Sequence, residues 1–295
     1  MIFFFGDGKL GNQLFQLAFL HNFNKNKKII FSSNFKEVFS LFKVADIDFL
    51  VNIENKYFRK ISLKVLNPIF KFLSFLRIVS CIKLDTNIIL GTNVETRTII
   101  KTTGILPIIF IYPNFFQSEF FFNKKFINNL KIKNIHVLKA RKFLNNLDNY
   151  ELIFVHIRRK DYQYEKVVGK IGVDLPLKYY SSTINWFKKN IRKPFFIFLS
   201  DDIEYVKKNF SYIKNKIVSS NDMYVDFSII SLCKYGIMAN SSFSWWASFF
   251  SKSRKIIFAP KYWLGWKSKV EVQEGILPSY ARIVDPTNPK IINVK

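Results

Sequence analysis

One short stretch of the sequence, "VHIRRKDY" at residues 155–162, brings several chargeable side chains together. After an apolar, strand-like run, the residues that can carry charge are His156, Arg158, Arg159, Lys160 and Asp161. Four groups that can be cationic repel one another unless an anion lies between them. Side chains alternate along a strand, which puts His156 and Arg158 on one side and Arg159 on the other. The stretch therefore predicts an anion site, in which the planar fork of Arg158 suits a diphosphate.

The same alternation places Arg159 and Asp161 on a common side of the chain. We expect these two side chains to form an ion pair that orients the loop after the strand. An ordinary surface ion pair would explain these two residues alone. It does not explain the two further cations beside them, Arg158 and Lys160, so a bound anion is the favoured explanation.

Three further polar clusters also follow predicted strands. They are Gly8, Gly11, Asn12 and Gln13; then Ser200, Asp201 and Asp202; and finally Asn240, Ser241 and Ser242. In an open parallel sheet, ligands bind at the carboxyl ends of the strands, which share one edge. Polar clusters at four such ends predict a binding site along that edge.

Each of these clusters also has a simpler structural explanation. The three residues at 240–242 begin a predicted helix, where Asn and Ser commonly cap the first turn. Asp201 and Asp202 precede another helix, and adjacent side chains point in different directions, so we expect capping rather than metal ligation. The glycine cluster predicts a tight turn from strand to helix, whose backbone N–H groups also suit a phosphate.

Strands and helices alternate along most of the chain. At the start, "IFFF" predicts a strand at residues 2–5, a helix follows over residues 10–23, and "KKIIF" predicts a second strand, which gives a βαβ unit. From residue 151 onward, strands are predicted at 151–158, 194–202, 215–220, 237–240 and 255–263, with helices between them. This alternation predicts an α/β fold with a parallel, doubly wound sheet.

A polar segment, "NNLDNY" at residues 145–150, interrupts this pattern. We take it as the boundary between two lobes. The first, residues 1–148, is an N-terminal α/β lobe. The second, residues 149–295, is a C-terminal Rossmann-like lobe.

A basic amphipathic helix is predicted over residues 60–77. Its apolar positions at helical spacing are Ile61, Val65, Ile69, Phe72, Leu76 and Val79, and the residues on the other side include Lys60, Lys64 and Lys71. Pro68 is expected to kink or split this helix. Amphipathic helices are the rule in soluble proteins, so the favoured prediction packs the apolar face on the core. The alternative is a helix that lies on an anionic membrane.

Composition narrows the classes of function. The chain has 295 residues, of which 49% are apolar, and a net charge of +25. Its length and apolar content predict folded domains, and its charge favours nucleic acid, anionic membranes or phosphorylated small molecules as partners. Cys81 and Cys233 are far apart, and we expect buried thiols. His21, His136 and His156 lack the spacing of zinc ligands.

Taken together, the motifs resemble those of glycosyltransferase family 11, which includes the bacterial α-1,2-fucosyltransferases. The resemblance is carried by "GKLGNQLFQLA", "HIRRKDY", "LSDD", "CKYGIMANSSFSWWASFF" and "IIFAPKYW". Their order and spacing extend from Gly8 to Trp263. The pattern His-x-Arg-Arg-x-Asp combined with Asn-Ser-x-Phe-Ser-Trp-Trp is highly specific, whereas each motif alone is not.

The resemblance implies a GT-B-like fold, with two Rossmann-like lobes and the donor site between them. The C-terminal lobe would hold GDP-fucose, and the N-terminal lobe would form the acceptor side. The implied reaction is an inverting transfer of L-fucose to the 2-hydroxyl of a β-galactoside in a surface glycan of the O-antigen type. No metal and no cofactor are implied besides the donor substrate, because a fixed guanidinium can stabilise the leaving diphosphate.

The resemblance also assigns residues to the donor site. Arg158 matches an arginine that binds the β-phosphate, and His156 matches a neighbouring nucleotide contact. Asp226 stands in the place of a guanine-binding carboxylate; the alternative is an ion pair with Lys234 or exposure near the start of its helix. The other positions assigned to donor binding are Gly11, Asn12, Gln13, Arg159, Asn240, Ser241 and Ser242.

Asp161 and Glu165 are the candidates for a general base that removes the proton of the acceptor hydroxyl. A carboxylate that also pairs with Arg159 would have a lowered pKa, which makes it a poor base. The sequence does not choose between the two.

Two other functions are compatible with the sequence: a related transferase that uses another GDP-sugar, and a basic nucleic-acid-binding protein. The second explains the charge but not the glycine loop, the paired arginines and Trp-Trp at matched strand ends. The favoured partners are GDP-fucose and a galactose-terminated glycan, without nucleic acid. No stretch has the ~18 apolar residues of a membrane span, and no signal peptide is visible. We therefore expect a bacterial cytoplasmic protein, with the anionic inner membrane as a further contact surface.

Overall fold

The computed structural model describes residues 1–24, 28–43, 49–53, 55–88, 94–289 and 291–292. Backbone contacts divide the chain into two compact units, one of residues 1–89 and 96–133, the other of residues 90–95 and 134–295. The sequence placed the lobe boundary at residue 148. In the structure the helix Asn134–Phe143 belongs to the second unit, because it packs on the helix Met223–Leu232 of that unit.

The first unit is built on a sheet with parallel strand pairs. Its elements are β1 (Ile2–Phe5), α1 (Leu10–Phe23), β2 (Ile30–Ser33), α2 (Lys36–Leu41), β3 (Leu50–Ile53), α3 (Lys56–Ile61), α4 (Asn67–Phe75), β4 (Val79–Ile88), β5 (Glu95–Thr102), β6 (Leu106–Ile111) and α5 (Lys124–Asn129). Within the described residues, six strands form one sheet in the order β3-β2-β1-β6-β4-β5. The β1–β2, β2–β3, β1–β6 and β4–β6 pairs are parallel, which confirms the βαβ opening.

The turn from β1 to α1 depends on a glycine. Gly8 has φ of +87°, a left-handed conformation that glycine adopts without steric cost. A Cβ at this position would lie 2.7 Å from the side-chain nitrogen of Asn12 and 3.0 Å from the ring of Phe115. Gly8 therefore allows the strand to turn sharply into the helix.

The predicted helix over residues 60–77 forms, but its register changes near the proline. A π-helical turn at Ser62–Leu66 joins α3 to α4. Pro68 has no N–H to donate one turn back, so the α-helical ladder cannot pass through it unchanged. The widened turn lies immediately before Pro68, which confirms the predicted interruption.

The orientation predicted for this helix is wrong. Five of the residues expected to face the core are exposed by 47% or more, namely Ile61, Val65, Ile69, Phe72 and Leu76, whereas the sixth, Val79, is buried but begins β4. The core is contacted by a second apolar row, formed by Leu63, Leu66, Phe70 and Leu73. Because the sequence supplies apolar residues on two faces of the helix, periodicity alone does not indicate which face is buried.

The second unit is a Rossmann-like α/β layer. Its elements are α6 (Asn134–Phe143), β7 (Glu151–Ile157), β8 (Lys166–Val167), β9 (Lys170–Ile171), α7 (Leu177–Asn190), β10 (Pro194–Ser200), α8 (Ile203–Asn209), β11 (Lys216–Val218), α9 (Met223–Leu232), β12 (Tyr235–Ile237), α10 (Ser242–Phe249), β13 (Ile256–Pro260), β14 (Arg282–Val284) and β15 (Ile291–Ile292). In the described part of the chain, its main sheet has the order β11-β10-β7-β12-β13-β14-β15. Only the β14–β15 pair of this sheet is antiparallel among the described strand pairs.

The strand order of the second sheet creates a switch point. Without the short β8–β9 hairpin, the strands numbered from β7 stand in the order 3-2-1-4-5-6-7, and the first six of them have the doubly wound order. The connections from β7 lead first to one side, through β10 and β11, and then to the other side, through β12. The direction reverses between β7 and β12, so the predicted parallel, doubly wound sheet is confirmed.

β12 begins earlier than predicted because a glycine lies inside it. The prediction placed residues 234–236 in the preceding helix and the strand at residues 237–240, whereas the strand is Tyr235–Ile237. A Cβ on Gly236 would lie 1.9 Å from the ring of Phe154 on the neighbouring strand β7. Gly236 thus provides room for that ring, rather than ending a helix.

Other predictions about the core hold. Trp245 and Trp246 on α10 are fully buried, and Cys81 and Cys233 are buried free thiols. Between residues 115 and 148 the α-helices are α5 and α6, and Glu119–Phe121 forms a 3-10 turn. None of the helices in the described ranges combines the length and the apolar composition that a membrane span requires.

Candidate active site

The candidate site lies at the switch point of the second sheet. Ligands of open α/β sheets bind in the crevice outside the carboxyl ends of the strands where the strand order reverses. Here one side of the crevice is the end of β7, which carries His156 and continues into Arg158. The other side is the end of β12, which leads through Asn240 and Ser241 into α10.

Arg158 is held by two carboxylates. Its Nη2 donates to Oδ2 of Asp161 at 2.5 Å, and its Nη1 lies 3.3 Å from Oδ2 of Asp201. Burial by itself lowers the pKa of Arg158, but the hydrogen bond to Asp161 and the charge of Asp201 outweigh this effect and raise the pKa above its ordinary value. Arg158 is therefore a permanent cation, and 23% of its side chain is exposed.

Arg159 points to the other side, as predicted, and is enclosed by its own partners. Its guanidinium donates to the carboxylates of Asp174 at 3.1 Å and Asp202 at 3.3 Å, and to Oε1 of Gln163 at 2.9 Å. The guanidinium carbon also lies 4.2 Å from the centre of the Tyr205 ring. Its backbone N–H donates to Oδ1 of Asp201 at 2.9 Å. The Arg159 side chain is thus committed to holding the loop, although the sequence assigned it to the donor site.

The predicted ion pair between Arg159 and Asp161 is wrong. Asp161 pairs with Arg158 because the extended backbone ends at this point. Lys160 has helical backbone angles, and the residues Asp161–Gln163 form a 3-10 turn. The turn brings Asp161 back toward Arg158, three residues earlier, so the side alternation of a strand no longer applies.

His156 is neutral, which corrects the expectation that four groups in this stretch could be cationic. The residue is 7% exposed, and burial, followed by the charge of Arg158, lowers its pKa to about 3. Its ring centre lies 5.5 Å from the ring of Phe243 on α10. His156 therefore joins the two sides of the switch point without adding charge.

The start of α10 forms the second side of the crevice. Oγ of Ser241 accepts a hydrogen bond from the backbone N–H of Phe243 at 3.4 Å, which confirms the predicted helix cap. Asn240 is fully buried, and its Nδ2 donates to the carbonyl oxygen of Val173 at 2.8 Å. Asn240 thus fixes the position of the helix start. Ser241 and Ser242 stand at a helix N-terminus, where an anion is favoured.

Tyr162 connects both sides of the site, and the sequence analysis did not assign it. Its hydroxyl donates to the carbonyl oxygen of Asn240 at 3.3 Å and also hydrogen-bonds with Ser241. The guanidinium carbon of Arg158 lies 5.6 Å from its ring centre. Burial raises the pKa of Tyr162 to about 12, so the hydroxyl remains a neutral donor. The available signal was its place in "HIRRKDY", directly after Asp161.

Asp226 lies in the first turn of α9. Oγ of Ser219, just after β11, donates to Oδ1 of Asp226 at 2.5 Å. Burial raises the pKa of Asp226 to about 6, although the Ser219 hydrogen bond acts in the opposite direction. Lys234, the alternative partner, instead pairs with Glu151 at 3.2 Å. The structure therefore places a partly buried carboxyl group on the helix that precedes β12.

Ring contacts connect this helix to the switch point. Phe227 on α9 lies 5.7 Å from Phe243 on α10, and Phe243 is the ring that contacts His156. Asp226 is the residue directly before Phe227. The chain of rings therefore extends from the position next to Asp226 to the end of β7.

The two candidate bases lie in the loop between β7 and β8. Asp161 is engaged with Arg158, although 56% of its side chain is exposed. Glu165 is also exposed. The two candidate bases thus differ in one respect: Asp161 is engaged in an ion pair with Arg158, and Glu165 is not part of that pair.

Gly11, Asn12 and Gln13 lie in the first turn of α1, in the first unit. Oδ1 of Asn12 accepts a hydrogen bond from Nε2 of Gln117 at 2.7 Å. The buried side chain of Gln13 has partners in this unit, which are Gly8, Glu37 and Val38. The amide of Gln13 therefore serves the internal structure of the unit.

The described residues contain no group of three or more His, Cys, Asp or Glu side chains that could hold a metal ion. Asp202 caps α8, because its Oδ1 accepts from the backbone N–H of Tyr205 at 3.0 Å. Asp201 accepts from Arg159 and pairs with Arg158. The capping role predicted for this Asp pair is confirmed at Asp202.

Comparison with known families agrees with these motifs. The model of glycosyl transferase family 11 matches residues 1–274. The chain belongs to this family. The match includes both units and every residue assigned to the candidate site.

Individual relatives of this family 11 chain match over shorter segments. An α-1,2-colitosyltransferase from Escherichia coli is 35% identical over 133 residues, which cover 40% of this chain and 46% of the relative. The O-antigen biosynthesis glycosyltransferase WbnK from Escherichia coli is 29% identical over 127 residues, which cover 41% and 42%. Galactoside α-(1,2)-fucosyltransferase 2 of Pongo pygmaeus is 26% identical over 133 residues, which cover 41% and 38%. The chain spans less than half the length of these curated relatives.

Solved structures share the fold of this family 11 protein. Fucosyltransferase NodZ from Bradyrhizobium has a TM-score of 0.52 at 11% identity, with 84% of this chain and 90% of NodZ covered. POFUT1 in complex with GDP-fucose has a TM-score of 0.51 at 12% identity, with 87% and 96% covered. At such identities the likeness shows the fold alone. The α/β, GT-B-like class with two Rossmann-like units is confirmed.

We predict that Asp226→Asn stabilises the fold at neutral pH. Folding raises the pKa of Asp226 from 3.8 to about 6, so ionisation near pH 7 opposes folding. The shift corresponds to ~3 kcal/mol, and partial solvent access reduces this to about 1–2 kcal/mol. Urea unfolding should show the full gain above pH 6 and its loss as the pH falls from 6 to 4.

Glu204→Gln is the matched control, because the side chain of Glu204 is 82% exposed. We expect a change within about 0.5 kcal/mol for this variant. A loss of stability in Asp226→Asn at pH 7 would contradict the assignment of Asp226 as a carboxylate whose charge is unfavourable in the folded protein.

Proposed function

We propose that this chain transfers L-fucose from GDP-fucose to the 2-hydroxyl of a β-galactoside in a surface glycan. The observation that carries the proposal is Arg158, a partly exposed guanidinium at the switch point of a family 11 chain. An α-1,2-fucosyltransferase and an O-antigen glycosyltransferase among the relatives support the linkage and the acceptor class.

Arg158 supplies the electrostatics that the reaction needs. As the fucosyl–phosphate bond breaks, negative charge develops on the departing GDP and positive charge on the sugar ring. A guanidinium that is already oriented stabilises the leaving group without reorganisation. Asp201, whose side chain is only 18% exposed, holds Arg158 in this orientation.

The two carboxylates on Arg158 have different roles in this proposal. A diphosphate that binds Arg158 competes with Asp161, which is the more exposed partner, and leaves Asp201 in place. The exchange frees Asp161 beside the donor. The freed carboxylate then takes the proton of the acceptor hydroxyl, while that oxygen bonds to the anomeric carbon with inversion and GDP departs. Glu165, in the same loop, is the alternative base.

The neighbouring residues position the donor. The start of α10 at Ser241 and Ser242 faces the diphosphate as a hydrogen-bond donor, and Tyr162 holds this helix start through its hydrogen bond to the carbonyl oxygen of Asn240. Asp226, when ionised, accepts the two N–H groups on one edge of guanine. Asn240 and Arg159 hold these elements in place through their own buried contacts.

Two further parts of the proposal concern the first unit and metals. The first turn of α1, with Gly11, Asn12 and Gln13, is a helix N-terminus within the first unit, of the kind that suits a phosphate. No metal is needed, because Arg158 neutralises the leaving group.

A donor that carries colitose is the second candidate. Colitose is L-fucose without its 3-hydroxyl, and the relative with 35% identity is an α-1,2-colitosyltransferase. Both donors would present the same diphosphate to Arg158.

The direct test is an activity assay with the purified chain in excess EDTA. We expect transfer from GDP-fucose to a β-galactoside, with an α-1,2 linkage in the product by mass and linkage analysis. GDP-mannose serves as the donor control. Absence of transfer from GDP-fucose would overturn the proposed donor. Activity that appears only after Mg²⁺ or Mn²⁺ is added would overturn the metal-free mechanism.

We predict that Arg158→Lys lowers kcat by about 100-fold or more, because an ammonium cannot reproduce the bidentate contact with a phosphate. Arg192→Lys, on an exposed residue of the same unit, is the control and should leave kcat unchanged. Near-normal turnover of Arg158→Lys would remove Arg158 from the leaving-group role.

We predict that Asp161→Asn binds GDP about 3- to 10-fold more tightly, because a carboxylate no longer competes with the phosphates for Arg158. The same variant should have a lower kcat, because the base is lost. Calorimetry with GDP and initial rates separate the two effects, with Glu165→Gln as the matched variant. If GDP bound more weakly to Asp161→Asn, the proposed exchange at Arg158 would be incorrect.

A further inference from the structure

The helix formed by α3, the π-helical turn and α4 exposes a continuous apolar row. We define the exposed stripe as Tyr57, Ile61, Val65, Ile69, Phe72, Phe75 and Leu76, which are between 47% and 80% exposed. Their spacing of three or four residues puts most of them on one face of the helix. A stripe that begins at Tyr57 and ends at Leu76 is about 28 Å long.

The opposite face of this helix is unusual because it buries hydroxyl groups. Ser62 and Ser74 are 0% and 6% exposed. Oγ of Ser62 bonds with Oγ of Ser33 at 3.1 Å, and Oγ of Ser74 bonds with the hydroxyl of Tyr112 at 2.8 Å. The core side of the helix thus combines these two hydroxyl groups with the apolar row Leu63, Leu66, Phe70 and Leu73, while the exposed stripe adds a second apolar face that points to solvent.

Charge along the helix is of one sign. Residues 55–84 contain no Asp or Glu. Lys60, Lys64 and Lys71 are exposed and lie at i, i+4 and i+11, which places them in one row beside the exposed stripe. Long lysine side chains can bury their carbon stems along apolar surface and keep the ammonium groups in the polar layer above it.

We propose that the exposed stripe docks this chain on an anionic lipid bilayer, with the helix lying in the plane of the interface. The apolar side chains enter the acyl boundary, and the lysine row contacts the anionic headgroups. An apolar face with cations along its border is the composition of an interfacial helix. Each cation near an anionic surface adds to the attraction.

The positive charges beside the exposed stripe favour an anionic bilayer over a second copy of the chain as the surface that covers it. A second copy of the chain would bring two lysine rows together without an acidic residue from either helix to compensate. An anionic bilayer offers both the apolar layer and the opposite charge in one surface. This docking does not depend on the proposed reaction.

The test is sedimentation of the purified chain with large unilamellar vesicles of phosphatidylcholine and phosphatidylglycerol at 3:1. Phe72→Ser/Phe75→Ser removes two of the most exposed rings of the stripe. Phe120→Ser/Leu138→Ser is the matched control, since these residues are 69% and 64% exposed and lie outside the helix. Lys60→Gln/Lys64→Gln tests the charge. Circular dichroism and thermal unfolding of each variant check that the chain is folded.

We expect the parent and the Phe120→Ser/Leu138→Ser variant to bind these vesicles equally well. The Phe72→Ser/Phe75→Ser variant should lose at least tenfold in partition coefficient while remaining folded. Lys60→Gln/Lys64→Gln should bind more weakly, with a smaller difference between the mixed vesicles and pure phosphatidylcholine.

Three outcomes would overturn the proposal. The first is equal vesicle binding by the parent and the Phe72→Ser/Phe75→Ser variant. The second is a parent that does not bind the mixed vesicles. The third is a parent that sediments as a dimer in ultracentrifugation and becomes a monomer in the Phe72→Ser/Phe75→Ser variant, which would assign the stripe to self-association.

Discussion

The candidate site depends on one partly buried cation, the guanidinium of Arg159. A buried charge is costly unless it is paired and hydrogen-bonded. Here the pairing comes from elements that are separate in sequence: Asp174 after the β9 hairpin strand, Asp202 at the start of α8 and Gln163 in the loop after β7. Because all three must converge on Arg159, the loop that carries Arg158 has one favoured conformation. The orientation of Arg158 is thus a consequence of the ion pairs and hydrogen bonds that its neighbour Arg159 forms.

The two adjacent arginines therefore have different roles: Arg159 holds the loop, and Arg158 is the one that a ligand can contact. Arg159 is saturated by protein partners, whereas Arg158 keeps one buried partner and one exposed partner. Only the exposed partner can be replaced by a ligand at little cost, since Asp161 regains its hydration in solvent. His156 adds no charge because it is buried beside Arg158. A stretch that at first suggested four cations leaves the guanidinium of Arg158 as the proposed anion contact at the end of β7.

The first unit differs from the second in which side chains it exposes to solvent. In the second unit, charged groups are brought inward and paired. On the α3–α4 helix, large apolar side chains are exposed to solvent beside charges that are all positive. Two hydroxyl groups lie on the core side of the same helix. Exposed apolar surface of this extent on one helix is compatible with water only at a cost, which a partner surface relieves. The strong positive charge of the chain is consistent with both proposals, because it attracts anionic small molecules and anionic surfaces alike.

Much of the fold followed from the sequence, because apolar runs and turn residues are local signals. The alternation of strands and helices from Glu151 onward, the βαβ opening and the interruption at Pro68 all depend on neighbouring residues, and the structure contains them. The family motifs also located Arg158 at a strand end. The sequence by itself therefore determined the α/β class, the order of the elements and the edge at which the site lies.

Only the tertiary structure decided which groups pair. Asp161 bonds to Arg158 rather than Arg159 because a 3-10 turn ends the strand alternation, and Tyr162 enters the site through the same turn. The buried face of α3–α4 is the one whose apolar row packs on the core and whose hydroxyl groups meet partners on β2 and beside β6, remote in sequence. The charge state of His156 was set by burial against α10. Each of these outcomes depends on contacts between distant segments, which local residue patterns do not encode.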